Sequence, residues 1–163
     1  MNLRNTQIFK DISRISERFG IAPERLEEFM KFAVVGGSGV VVNMGFLFAL
    51  TRYGEMDIKF ASPIAIEISI LTNFFLNNLW TFRKRDTRVS FLSRIFRYHL
   101  VTGLAGIVNY FTLLFLANVF GIQDMIANLI GILLGTLINF FLNSLWTWRV
   151  KDETGNQVKQ EDQ

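Results

Sequence analysis

The sequence predicts an all-α integral membrane protein: four transmembrane helices made as two parallel helical-hairpin repeats, with an amphipathic helix ahead of them. Three observations carry this. First, the 163 residues are 50% hydrophobic and 19% charged, and the charge is segregated. Residues 32–51, 98–123 and 125–148 hold no Asp, Glu, Lys or Arg, and residues 60–82 hold only Glu67. Each stretch reaches the roughly 18 to 20 apolar residues that cross about 30 Å of hydrocarbon. Second, shifting the chain by about 66 residues superposes 31–83 on 97–149 without a gap, with about 19 of roughly 53 pairs identical. Third, Lys and Arg collect on one side of the expected spans. Together these exclude a soluble globular enzyme.

The organisation follows in chain order. Residues 1–29 form a cytoplasmic amphipathic segment, in which Ile8, Ile12, Ile15 and Phe19 make one apolar stripe with Lys10, Arg14 and Arg18 off it. Such a stripe suits an interfacial helix lying on lipid or a helix packing on a partner protein. The charges interrupt any signal-peptide core, so the segment is expected to be retained. Gly20 ends this helix, Pro23 suits a first helical turn, and Leu26 and Phe29 lead into the first span.

Residues 30–150 form the transmembrane domain, with spans at 31–52, 59–82, 97–119 and 124–148. A unit of two spans ends on the side where it began, so two copies joined by a short connector are parallel. The 83–97 connector carries Arg83, Lys84, Arg85, Arg88, Arg94 and Arg97, whereas the hairpin tips hold Arg52 and Lys59. The positive-inside rule therefore puts both termini and the connector in the cytoplasm, in a multi-pass protein of the cytoplasmic membrane. Trp80, Trp146 and Trp148 then fall at the cytoplasmic headgroup level, which suits indole. The tail, 151–163, is polar and expected to be disordered.

Polar residues in the spans are the candidate site. Ala61, Ala65, Ser69, Asn73 and Asn77 recur every fourth residue, as do Ala127, Gly131, Gly135, Asn139 and Asn143. Each face is small toward the tip, allowing close backbone approach, and amide-bearing toward the cytoplasm. Asn43 and Asn109 add an amide to the first and third spans. These six amides either bond helix to helix or line a polar pocket opening to the cytoplasm. Lys31, Arg83, Arg97 and Arg149 sit at the cytoplasmic span ends beside Trp80 and Trp146. They act either as ordinary positive-inside anchors or as a cationic mouth for a phosphate headgroup.

Glu67 is the one formal charge within a span, and its repeat partner is Leu133. An ionised carboxylate there costs about 2.5 kcal/mol or more, so it is protonated, paired or beside water. Arg52 or Lys59 could reach it. Gly36, Gly37 and Gly39, with Gly103 and Gly106, fit helix packing and not a phosphate loop, since no Gly-Lys-Ser/Thr follows. His99 fits a headgroup contact. With no cysteine and one histidine, no metal cluster or cofactor is expected. No nucleophile has a base, so no catalytic residue is expected and the chain by itself is not an enzyme.

The repeated Asn-Phe-Phe-Leu-Asn-x-x-Trp-Thr-Phe/Trp-Arg endings and the Val-Gly-Gly-x-Gly-x-x-Val-Asn opening of the first span resemble the GtrA-like family over residues 28–150. The resemblance implies a small four-span protein associated with polyprenyl-phosphate glycosyltransferases, moving or presenting a lipid-linked sugar for cell-surface polysaccharide. It carries over Asn43, Asn73, Asn77, Trp80 and Arg83, with Asn109, Asn139, Asn143, Trp146 and Arg149 in the second repeat. The leading expectation is translocation of a polyprenyl-phosphate-linked sugar. The alternatives are a membrane adaptor presenting that lipid to a glycosyltransferase partner, and a small proton-coupled exporter using Glu67. A homo-oligomer is compatible with the sequence, and no nucleic-acid partner is expected.

Overall fold

The structure is a computed structural model that describes residues 22–150 together with Gln7. The expected helix at 8–19 and the tail at 151–163 lie outside the described residues. The chain divides into two compact units, with the boundary between Arg83 and Lys84, and each described unit is a helical hairpin. The first contains α1 (Pro23–Arg52) and α2 (Ile58–Leu76), closed by a π-helical turn, Asn77–Thr81. The second contains α3 (Phe91–Phe120) and α4 (Asp124–Leu142), closed by a π-helical turn, Asn143–Thr147. All four helices are long and apolar enough to cross a membrane.

The helices start where local chemistry starts them. Pro23 occupies the first turn of α1, where its missing N–H costs nothing. Ser90 caps α3, its hydroxyl accepting from Ser93 N at 3.4 Å. Both helices consequently begin several residues before the apolar span, so each carries a polar helical lead-in that hydropathy does not mark.

Each hairpin packs through its small residues. In the first, Phe32, Val35 and Gly39 of α1 are buried with Ala61, Ala65 and Phe74 of α2. In the second, Val101 and Ala105 of α3 are buried with Ala127, Gly131 and Gly135 of α4. Large apolar side chains point outward instead, among them Val41, Phe60, Leu79 and Met125. In water this inversion would expose far more apolar surface than a stable monomer tolerates; in lipid it costs nothing. Hydroxyls inside the spans bond carbonyls of their own helix, as Thr51 Oγ1 does with Leu47 O (2.8 Å) and Thr72 Oγ1 with Ile68 O (2.7 Å). The hydrogens of these two hydroxyls are thereby kept from the hydrocarbon.

Both tips turn through a left-handed residue at equivalent positions, Glu55 (φ 50°) and Gly121 (φ 65°). The next N–H then reaches back to a helix carbonyl, Met56 N to Leu50 O at 3.0 Å and Ile122 N to Leu116 O at 3.2 Å. The glycine expectation is narrowed by the structure. Gly39 is packed, whereas Gly36, Gly37, Gly103 and Gly106 have no neighbour near the position a Cβ would take. They lie on the exposed surface of their hairpins.

Candidate functional site at the open ends of the hairpins

The end of each hairpin opposite its tip, here its open end, is built by the π-helical turn. Phe82 N donates to Asn77 O (2.8 Å) and Trp148 N to Asn143 O (2.9 Å), five residues apart in each case. The widened turn is held by side chains: Thr81 Oγ1 donates to Asn77 Oδ1 (2.8 Å) and Thr147 Oγ1 to Asn143 Oδ1 (2.7 Å). All four of these residues are buried. π-Turns inside α-helices recur at functional sites, and the repeated Asn-x-x-x-Thr spacing is what locks them here.

The six amides therefore divide. Asn77 and Asn143 serve the turns. Asn139 accepts from Asn143 Nδ2 at 2.7 Å. Asn73 lies against Gly39 so closely that a methyl there would sit 2.8 Å from its Cγ. Asn109 lies against Gly131 in the same manner. The Oδ1 atoms of Asn73 and Asn109 are buried without a hydrogen-bond partner among the described residues. Asn43 is half-buried on α1.

The turns place each tryptophan against a cation from the facing helix. Lys31 Nζ lies 5.8 Å from the Trp80 ring centroid, and the Arg97 guanidinium 5.0 Å from that of Trp146. Such stacking contributes about 0.5 to 2 kcal/mol, more where water is excluded. The pairs differ in their second partner. Buried Lys31 is ion-paired with Glu27 Oε1 at 2.6 Å, while Arg97 Nη1 donates to Trp146 O at 2.9 Å. Trp148 faces the interior of its hairpin, unlike Trp146. It is 1% exposed and packs edge-on against Tyr98, with centroids 5.8 Å apart. Phe82 and Phe32 make the matching pair in the first hairpin.

Arg83 and Arg149 are exposed at the ends of their turns. In the second hairpin Arg149 and Arg97 line one pocket of about 590 Å³ with Arg88, Ser90 and Ser93. Sequence reasoning missed Arg88 and both serines as site residues. The readable signal was Ser90, a helix-capping residue just ahead of an apolar run and close to Arg88 and Arg97. It also missed Arg85, which ties the connector to the second π-helical turn. Its guanidinium donates to the Ser144 carbonyl, to Ser144 Oγ (2.8 Å) and to Trp148 O (3.2 Å). A backbone bridge between Thr87 and Val150 fastens the connector beside Arg149.

The remaining candidates are placed as follows. Glu67 is exposed on α2, and Arg52 and Lys59 are exposed near the first tip. His99 Nδ1 bonds the Ile95 carbonyl of its own helix at 2.8 Å, which requires the proton on Nδ1.

The chain is similar to a dolichol-phosphate mannosyltransferase of Pyrococcus furiosus, 40% identical over 126 residues that make up 76% of this chain and 34% of the relative. It thus spans about a third of the length of that curated relative. The family model for the GtrA/DPMS transmembrane domain matches residues 31–148, which takes in both π-helical turns and all of both hairpins except the start of α1. The chain belongs to the GtrA/DPMS transmembrane domain family.

Proposed function

We propose that this protein handles a polyprenyl-phosphate-linked sugar and carries its headgroup across the cytoplasmic membrane, without itself making or breaking a bond. The observation that carries this reading is the open end of the second hairpin, where Arg97 lies on Trp146 and shares a pocket with Arg149, on a frame that the first hairpin repeats with Lys31 and Trp80. Indole and a basic side chain at one level suit a phosphate held at the membrane surface with its isoprenoid tail in the bilayer. Buried Asn73 Oδ1 and Asn109 Oδ1 add unpaired acceptors within the hairpins. A sugar hydroxyl crossing hydrocarbon needs such acceptors, since each unmet polar group costs several kcal/mol. The distribution of Lys and Arg supports cytoplasmic termini.

The test is reconstitution of the full chain in vesicles with a polyprenyl-phosphate sugar confined to the inner leaflet. Appearance of the sugar outside, at a rate above protein-free vesicles, is expected. Sidedness is checked separately. The sequence has no cysteine, so Glu55→Cys and Asp86→Cys each introduce one thiol, expected to be labelled from opposite faces.

A second reading has its own support. The relative whose name is a mannosyltransferase is about three times as long as the stretch it shares with this chain. On that reading the protein anchors a separate glycosyltransferase and presents the lipid to it without moving it. Vesicles without transport, together with co-purification of a glycosyltransferase from native membranes, would select it.

A further inference from the structure

The two open ends are not electrostatically equivalent, although their sequences align without a gap. Across the repeat, Ser90 and Ser93 correspond to Glu24 and Glu27, Arg88 to Ala22, Arg97 to Lys31 and Arg149 to Arg83. In the first hairpin Glu27 reaches Lys31 and neutralises it. The buried cation there is already committed to Glu27, and Glu24 adds a second carboxylate to the first turn of the same helix. In the second hairpin the same two positions carry hydroxyls, and an additional arginine enters from the connector. Arg88, Arg97 and Arg149, with Ser90 and Ser93, line one pocket of about 590 Å³, a volume that accommodates a phosphate ester. Arg97 is braced by the Trp146 ring and carbonyl, so little side-chain freedom remains for a ligand to remove.

We infer that the second repeat alone binds the phosphate: Arg88, Arg97 and Arg149, with Ser90 and Ser93, form one phosphate-ester site per chain. The matching end of the first repeat is closed by Glu24 and Glu27. The lipid source of that phosphate rests on the proposed function; the site itself rests on the arginine pocket. Guanidinium forks bind phosphate through paired charge-assisted hydrogen bonds, and carboxylates at the same distance repel it.

The experiment uses the purified full chain in nanodiscs of zwitterionic lipid, following tryptophan fluorescence while titrating farnesyl phosphate, inorganic phosphate or phosphatidylglycerol. Farnesyl phosphate is expected to bind, with affinity falling at least about tenfold in Arg88→Gln and in Arg149→Gln, the loss of one charge-assisted bond. Arg83→Gln is expected to stay within about twofold. Ser93→Glu, which installs the first repeat's carboxylate one turn before Arg97, is expected to lower the affinity at least as much as the arginine variants. Glu27→Ser is expected to leave the affinity unchanged. Equal losses in Arg83→Gln and Arg149→Gln would overturn the single-site assignment, as would unaltered binding in Ser93→Glu. Binding of inorganic phosphate or phosphatidylglycerol as tight as that of farnesyl phosphate would keep the site and remove the polyprenyl source. Farnesyl phosphate binding that is lost in Arg149→Gln, in a protein that neither transports nor presents lipid, would keep the site and overturn the proposed function. No binding of any probe to the unmodified chain would overturn the site alone.

Discussion

The two hairpins make the same helix crossing with different chemistry. In the first, Ser69 Oγ donates to Gly39 O at 2.7 Å, a hydrogen bond from α2 to the backbone of α1. At the equivalent place in the second hairpin stand Gly135 and Ala105, and a methyl on Gly135 would lie 2.9 Å from Ala105 O. One repeat crosses on a hydroxyl and the other on bare backbone. The amide swaps helix as well: Asn73 projects from α2 onto Gly39, whereas Asn109 projects from α3 onto Gly131. A duplicated fold therefore preserves the place of closest approach and the small side chains that permit it. The particular bond made there is free to change, because in lipid close packing and a satisfied polar group are near-equal sources of association.

The largest test of that comparison changes the glycines. Gly135→Ala meets backbone that cannot rotate away, so it is expected to destabilise the second hairpin by about 1 to 3 kcal/mol. Gly39→Ala meets the end of the Asn73 side chain and is expected to cost less. Unfolding of the full chain in mixed detergent micelles reads both, and a larger loss in Gly39→Ala would reverse the account. Next, Asn77→Ala and Asn143→Ala each remove the acceptor of a buried threonine hydroxyl and are expected to cost about 1 to 3 kcal/mol. Asn143→Ala also removes the donor to Asn139 Oδ1, so its cost is expected to equal or exceed that of Asn77→Ala. A clearly larger loss of unfolding midpoint in Asn77→Ala would show that the turns are not held in the same way.

Ser69→Ala should have a smaller effect, about 0.6 kcal/mol and at most about 1.7, as measured interhelical bonds in membranes suggest. The same unfolding titration reads it, and no change would mean that packing alone holds the first crossing. The smallest effect concerns the tips, where Glu55 occupies a left-handed conformation that Gly121 adopts freely. Glu55→Gly is expected to stabilise the first hairpin by roughly 0.5 to 1 kcal/mol, relief of strain exceeding the entropy lost by glycine. A lowered midpoint would show that the Glu55 side chain contributes more than its backbone costs.

Charge segregation, the gapless repeat and the four-residue spacing of small residues determined the spans, the hairpins and the faces that pack. They do so because lipid requires long uninterrupted helices and small residues at their contacts, both of which are local and periodic. The family was legible from the same repeated endings. The site was legible only in part. Lys31, Trp80, Arg97, Trp146 and Arg149 could be placed at span ends, because position along a helix gives depth. Which cation each tryptophan meets, and that Glu27 claims Lys31 while Arg97 lines a pocket, depends on the rotation of one helix about another. No residue spacing encodes that rotation. It also decides that Gly39 is enclosed while Gly36 and Gly37, three and two residues earlier, have open space where a Cβ would stand. The π-helical turns escaped prediction for a different reason. Asn-x-x-x-Thr is compatible with an ordinary α-helix, and the wider turn is selected only when both side chains are buried together and must satisfy each other.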